Sequence, residues 1–118
     1  MAFDELSLLR RIKAKPGIFF GKKSLLSLRD FLWGVDYGIS AATNDQLRQK
    51  SNLPCFDGFV NWYIRRFVQD DNGYAAWWNH ILYTSGNNDD RAFDNFFRYF
   101  EQYLKEEHSC GLSEEQPE

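Results

Sequence analysis

At 118 residues the chain is of ordinary single-domain size, long enough to bury a core without disulfides or a structural metal. Hydrophobic residues make up 43% and aromatic residues 18%, including eleven Phe, six Tyr and four Trp, a composition that excludes disorder outside the ends. The net charge of −3 is unevenly spread: residues 1–30 carry seven Lys or Arg against three acids and residues 31–118 seven against fourteen, so a +4 segment precedes a −7 body. An acidic body favours a basic partner over nucleic acid, because opposite fields steer association.

In chain order, Phe3, Leu6, Leu9 and Ile12 recur at helical spacing. Arg10, Arg11, Lys13 and Lys15 fill the last turn, where cations complement the helix dipole, and Pro16-Gly17 closes this first helix. Gly17-Ile18-Phe19-Phe20-Gly21 is the one strand candidate and is too short to found a sheet. Ser24 reads as an N-cap for a second helix with the stripe Leu25, Leu28, Phe31 and Leu32, ending at Gly34 or Gly38. The polar stretch 39–55 is a connection, with a short helix expected at Asp45-Gln46-Leu47-Arg48.

From Phe56 an apolar face of Phe56, Phe59, Val60, Tyr63, Ile64, Phe67 and Val68 predicts a core-facing helix. Asp70-Asp71-Asn72-Gly73 is a turn signal. Tyr74, Trp77, Trp78, Ile81 and Leu82 mark a fourth helix, closed by Thr84-Ser85-Gly86-Asn87. Asn88 then caps a fifth, with Asp89 and Asp90 in its first turn and the stripe Phe93, Phe96, Phe97, Phe100, Tyr103 and Leu104. The expected fold is an all-α, compact bundle of about five helices, a single domain over residues 1–108 with a flexible acidic tail over 109–118.

Motifs of catalysis or ligation are few. Gly17 to Ser24 is a near miss to a phosphate-binding loop, with three residues rather than four between the glycines and a charged helix in place of the buried strand. Asp70, Asn72 and Gly73 imitate part of a calcium loop, but placing Gly73 at the sixth position puts Val68 and Asn79 where carboxylates are needed. His80 and His108 lack a second histidine at helical spacing, and no nucleophile motif is present. Cys55 and Cys110 are far apart in sequence and form neither a disulfide framework nor a zinc motif. The acids at the start of the chain do not fit a secretory signal, and no apolar run approaches a membrane span. Neither enzymatic activity, a metal nor a cofactor is expected, and the expected compartment is the cytoplasm.

Two kinds of binding surface follow. Lys13, Lys15, Lys22, Lys23 and Arg29 form a basic segment able to contact phosphates. Alternatively, Trp62, Trp77, Trp78 and Tyr83 cannot all point inward beside full Phe stripes, and if Trp77 faces the core then Trp78, rotated by about 100°, is partly exposed. Exposed aromatic residues beside acids anchor protein interfaces. On that basis Asp36, Tyr37, Asp45, Asp70, Asp71, Trp78, Asp89 and Asp90 are the expected partner-binding residues.

The run Arg11 to Gly34 contains Ile12, Pro16-Gly17, Gly21, Ser24-Leu25, Leu28, Phe31-Leu32 and Gly34. In this it resembles the opening of a family of small bacterial proteins, and Phe59 to Phe67, Trp77-Trp78 and Ala92 to Phe97 resemble the later blocks. The likeness spans most of residues 9–104 and is to immunity proteins of polymorphic toxin and contact-dependent growth-inhibition systems. What the resemblance implies is a cytoplasmic protein that binds and neutralises a cognate toxin domain, often a nuclease. The runner-up is a small nucleic-acid-binding or regulatory protein using the basic N-terminal segment.

Overall fold

Stripes of large apolar side chains at helical spacing build the architecture. The computed structural model describes residues 4–43, 52–68 and 77–112. Six α-helices lie in them: α1 (Glu5–Ala14), α2 (Pro16–Phe20), α3 (Leu25–Thr43), α4 (Pro54–Tyr63), α5 (Trp77–Thr84) and α6 (Asp89–His108), with a π-helical turn (Ile64–Val68) continuing α4. Among the described residues there is no strand, no helix is long and apolar enough to cross a membrane, and the fold is a single-domain all-α bundle.

Asp4 starts α1 by accepting the Ser7 N–H at 3.0 Å, and Leu9 and Ile12 are fully buried on its inner face. Pro16 begins a separate helix rather than a strand: its fixed φ suits the first helical position, and Gly21, at φ +76°, ends α2 in the left-handed region. Phe19 and Phe20 stand against Phe31 of α3, with ring centroids 5.7 and 5.6 Å away.

Two boundaries differ from expectation. Helix α3 runs through Gly34 and Gly38 to Thr43, and neither glycine adopts a positive φ. A glycine inside a helix costs about 1 kcal/mol relative to Ala, and burial of Leu25, Leu28 and Leu32 with part of Val35 offsets it. The tail, expected to begin at residue 109, is docked as far as the described residues extend. Ser109 turns left-handed at φ 56°, Cys110 N–H bonds the Leu104 carbonyl at 3.2 Å, and Leu112 is buried. Leu112 donates its N–H to Glu101 Oε1 at 2.6 Å and receives Arg10 Nε on its carbonyl at 2.8 Å, so two helices pin it. The short helix expected at 45–48, the turn at 70–73 and Tyr74 lie outside the described residues.

The core is a knot of rings around Phe59, which is fully buried on α4. Its ring centroid lies 5.1 Å from Phe96, 5.3 Å from Phe100 and 6.0 Å from Tyr103, all on α6, and 6.1 Å from Trp77 on α5. The whole expected stripe of α6 is buried. Its start is also as the sequence indicates, since Asn88 Oδ1 accepts the Arg91 N–H at 2.9 Å. The π turn shifts the register beyond Tyr63, so Phe67, expected on the apolar face, sits at its rim against Tyr63 and Tyr99 and is partly exposed.

Gly58 lets α4 and α6 approach closely, because a methyl group there would strike the Tyr103 hydroxyl. Gly58→Ala should therefore destabilise by about 1–3 kcal/mol, as overpacking does. Tyr103→Phe in the same chain, lacking that hydroxyl, should recover part of the loss. Urea unfolding of the single and double variants measures the coupling, and strictly additive costs would show that the hydroxyl is not the obstacle.

Helix α4 has Leu53 at its N-cap, with no side-chain acceptor of its own. Glu5 of α1 supplies it: its carboxylate oxygens accept Cys55 N–H at 2.9 Å and Phe56 N–H at 2.7 Å. Burial raises the Glu5 carboxyl above its ordinary value of 4.5, against the opposing effect of these backbone donors. The folded protein thus holds this proton more tightly than the unfolded chain, and the stability Glu5 contributes falls as pH rises from about 4.5 through the raised folded value. The stability of the native protein minus that of Glu5→Gln, measured by denaturation at several pH values, should decline across that window. A difference that is flat or grows would contradict the assignment.

Candidate interaction surface

On a helix, residues four apart share a face, and continuation of α3 through Gly34 aligns Arg29, Trp33 and Tyr37 in this way. Trp33 is 49% exposed and Tyr37 76% exposed, values that mark large rings turned to solvent rather than to the bundle. Trp78 reaches the same patch from α5. Its ring stands edge-on to Trp33, with centroids 5.6 Å apart and planes at 89°. The Arg29 guanidinium carbon lies 5.1 Å from the Trp33 ring centroid and 4.7 Å from that of Trp78, a cation–π arrangement with both indoles. Asp30 accepts from Arg29 at 2.9 Å and adds an exposed carboxylate beside the rings.

The patch is tied rigidly to the core. Trp78 packs edge-on against Trp77 at 5.8 Å, and Trp77 is buried against Phe56 at 5.5 Å and Phe96 at 6.0 Å. Rings held from behind present their area at little entropic cost, a property of interface anchors. The expected division between a buried Trp77 and a half-exposed Trp78 is present, and of the other two rings that cannot all point inward Trp62 is buried and Tyr83 exposed.

Of the residues expected to bind a partner, Tyr37 and Trp78 lie on this surface. Asp36 is half-buried and structural: its carboxylate accepts the Asn52 backbone N–H at 2.8 Å and the Asn52 side-chain amide at 2.9 Å, fastening the returning chain to α3. Asp89 is structural too. One oxygen accepts the Leu25 and Leu26 N–H groups at 2.8 and 3.2 Å, and the other receives the Ser24 hydroxyl. Asp90 is exposed and 3.7 Å from Lys23 Nζ. Asp45, Asp70 and Asp71 lie outside the described residues. Trp33 is absent from the expected partner-binding residues and Arg29 is expected only in the basic segment; both join Tyr37 on one face because α3 keeps its helical phase past Gly34, one of the two helix ends that the sequence offers.

The position of Asp89 also accounts for the phosphate-loop look-alike. The N-terminus of α3, where an anion would sit, already holds a carboxylate from α6. Lys23 turns to Asp94, whose hydrogen bond at 3.0 Å raises the lysine's pKa. Lys13 pairs with Glu101 at 3.5 Å, so Lys13, Lys23 and Arg29 of the basic segment all have acidic partners.

The two histidines are engaged by phenols: Tyr63 Oη lies 2.6 Å from His80 Nδ1 and Tyr103 Oη 2.9 Å from His108 Nε2, with burial pushing the Tyr103 hydroxyl up to about 12. An open groove of about 650 Å³ runs along α6 beside α1, walled by Lys13, Asp94, Arg98, Glu101, Lys105 and Glu106 over Phe97. Its acids are committed: Asp94 to Lys23, Glu101 to Lys13 and Leu112, and Glu106 to Gln102, Trp62 and Arg66. The hydrogen bond from Gln102, followed by those from Trp62 and Arg66, lowers the pKa of Glu106.

The chain matches no protein-family model, no curated protein and no solved structure.

Since Asp89 caps α3, Asp89→Ala should unsettle the fold rather than an interface, leaving two backbone donors without an acceptor at a cost of about 1–3 kcal/mol. Asp89→Asn, which keeps one acceptor oxygen, should lose less. Thermal and urea midpoints check both, and an unchanged midpoint for Asp89→Ala would return this residue to the partner-contact set.

Proposed function

We propose that this protein is a cytoplasmic immunity protein that binds and neutralises a cognate toxin domain, a basic nuclease, and that the surface of Arg29, Trp33, Tyr37 and Trp78 is its docking face. The single observation that carries the reading is the cluster itself: two indoles and a guanidinium in mutual contact, with the phenol of Tyr37 one turn further along α3, Trp33 half exposed and Tyr37 largely in solvent. Trp, Tyr and Arg are the residue types that dominate binding energy in protein interfaces, and soluble proteins seldom leave such area uncovered without use. The −7 balance of residues 31–118 supports a basic partner. The class of partner rests on the resemblance of the Ile12 to Gly34 segment and the later aromatic blocks to immunity proteins.

Nucleic acid is the less supported partner, because Lys13, Lys23 and Arg29 already have acidic neighbours whose charge would have to be displaced before phosphates could bind.

Trp33→Ala combined with Tyr37→Ala should weaken binding to the toxin domain encoded beside this chain's gene by about 30-fold or more, the loss expected of a pair of interface anchors. Because both rings face solvent, the thermal midpoint should stay close to that of the native protein. Calorimetric titration with the purified, catalytically disabled toxin domain measures the affinity. Undiminished affinity would remove the aromatic face from the interface. A gel shift of nucleic acid that weakens between two salt concentrations, without toxin binding, would favour the alternative partner.

A further inference from the structure

From Leu6 to Arg29 the chain holds seven Lys or Arg and no acid, and the fold engages four of those charges. Arg10 donates to the Leu112 carbonyl, Lys13 pairs with Glu101, Lys23 with Asp94 and Asp90, and Arg29 with Asp30. Among the described residues the other three, Arg11, Lys15 and Lys22, are exposed and form no ion pair. They stand around the tip where α1 gives way to α2 and α2 to α3. Backbone bonds hold this tip together in short steps. Lys15 N–H donates to the Arg11 carbonyl at 2.9 Å, Ile18 N–H to the Lys15 carbonyl at 3.1 Å and Gly21 N–H to the Gly17 carbonyl at 2.9 Å, with Lys22 next in the chain. Phe19 and Phe20 turn toward Phe31 of α3, and Ile18, rotated from Phe19 by about 100° on the same helix, is 75% exposed. A methyl group added at Gly17 or Gly21 would meet nothing within 4 Å, so the backbone of the tip faces open space as well.

We propose that this tip docks on an anionic bilayer surface, with Ile18 entering the headgroup layer and Arg11, Lys15 and Lys22 meeting lipid phosphates. Charge complementarity argues for the occupant: each Lys or Arg close to an anionic leaflet strengthens binding about five-fold, and here three such cations lack a partner within the described fold. Phe19 and Phe20, packed against Phe31, hold Ile18 in place from behind, so little order has to be created on contact. An aliphatic side chain among the cations favours lipid over nucleic acid, because a phosphate backbone is held by charge and offers isoleucine no hydrocarbon to enter. One shallow apolar contact joined to charge makes a peripheral, reversible association. Residues 31–118, at −7, are repelled by the same surface, so the molecule approaches it tip first.

Vesicles of phosphatidylcholine alone, and with about a third of phosphatidylglycerol to supply the anionic charge, sedimented with the full-length protein, are the probe. The protein should pellet with the anionic vesicles and stay in solution with the zwitterionic ones, and added salt should release it by screening. Ile18→Asp should lower vesicle affinity about tenfold or more, and Arg11→Gln, Lys15→Gln and Lys22→Gln combined about 100-fold. All four side chains are exposed, so thermal midpoints should stay near the native value. Should Ile18→Asp fold poorly, Ile18→Ser carries the same test. Trp33→Ala with Tyr37→Ala should pellet like the native protein, which separates this contact from the aromatic face. No pelleting with anionic vesicles, equal pelleting with both compositions, undiminished affinity of the tip variants, or a loss confined to the Trp33 and Tyr37 variant would each overturn the proposal. So would a salt-sensitive gel shift of duplex DNA without vesicle binding, which would assign the three cations to nucleic acid.

Discussion

The stacking of α6 on α4 through the Phe59 knot is the constraint on which the remaining structure depends. Phe93, Phe96, Phe97, Phe100 and Tyr103 bury one side of α6, and Phe59 meets the middle of that row only because Gly58 lets the two helices close together. Aromatic pairs in edge-on and tilted arrangements contribute about 0.5–1.5 kcal/mol each beyond area burial, so a knot of this density fixes orientation as well as distance. Trp77 enters it from α5. Through Trp77 the position of Trp78, and hence of the exposed rings, is set by core packing rather than by surface contacts.

A second feature of the design is that helices are capped by carboxylates from other helices. Glu5 of α1 caps α4, and Asp89 of α6 completes on α3 the cap that Ser24 begins by accepting the Ser27 N–H at 3.1 Å, so each N-terminus draws on a group that only the tertiary fold brings there. Such contacts couple secondary to tertiary structure and favour cooperative folding. They also withdraw acids from the surface. Asp36 and Asp89 spend their charge on backbone and side-chain amides, whereas Asp30 and Asp90 stay exposed beside Arg29 and Lys23.

Much of the architecture was legible because the signal was local. Asn88 followed by a row of rings at helical spacing specifies α6 nearly to the residue, and Pro16 divides α1 from the next element. What could not be read depended on partners distant in sequence. Gly34 and Gly38 look like helix stops, and only the burial of Leu32 and Val35 against other helices carries α3 past them. Asp89 suits the dipole of its own helix equally well whether it faces water or, as here, the start of α3. Nothing local marks Glu101 and Arg10 as the clamp on Leu112, so the segment after α6 read as a tail. The exposed aromatic face is half legible: two adjacent tryptophans imply that one is exposed, but Arg29 and Trp33 join Tyr37 only when α3 keeps its helical phase.

The exposed rings have a physical origin of their own, aromatic volume beyond what the six described helices enclose. A bundle of this size has room for Trp62 and Trp77 beside its phenylalanines, but Trp33, Tyr37 and Tyr83 remain outside. Trp33 is not left as an isolated ring. Arg29 spreads its guanidinium over both Trp33 and Trp78, so the exposed group is partly shielded and electrostatically satisfied in the free protein. Desolvating such a cluster in an interface strengthens its cation–π contacts while burying two large rings that already hold their positions. A surface kept ordered in this way loses little entropy on binding, which makes the face of α3 and α5 better suited to a tight protein contact than the solvated acids around it.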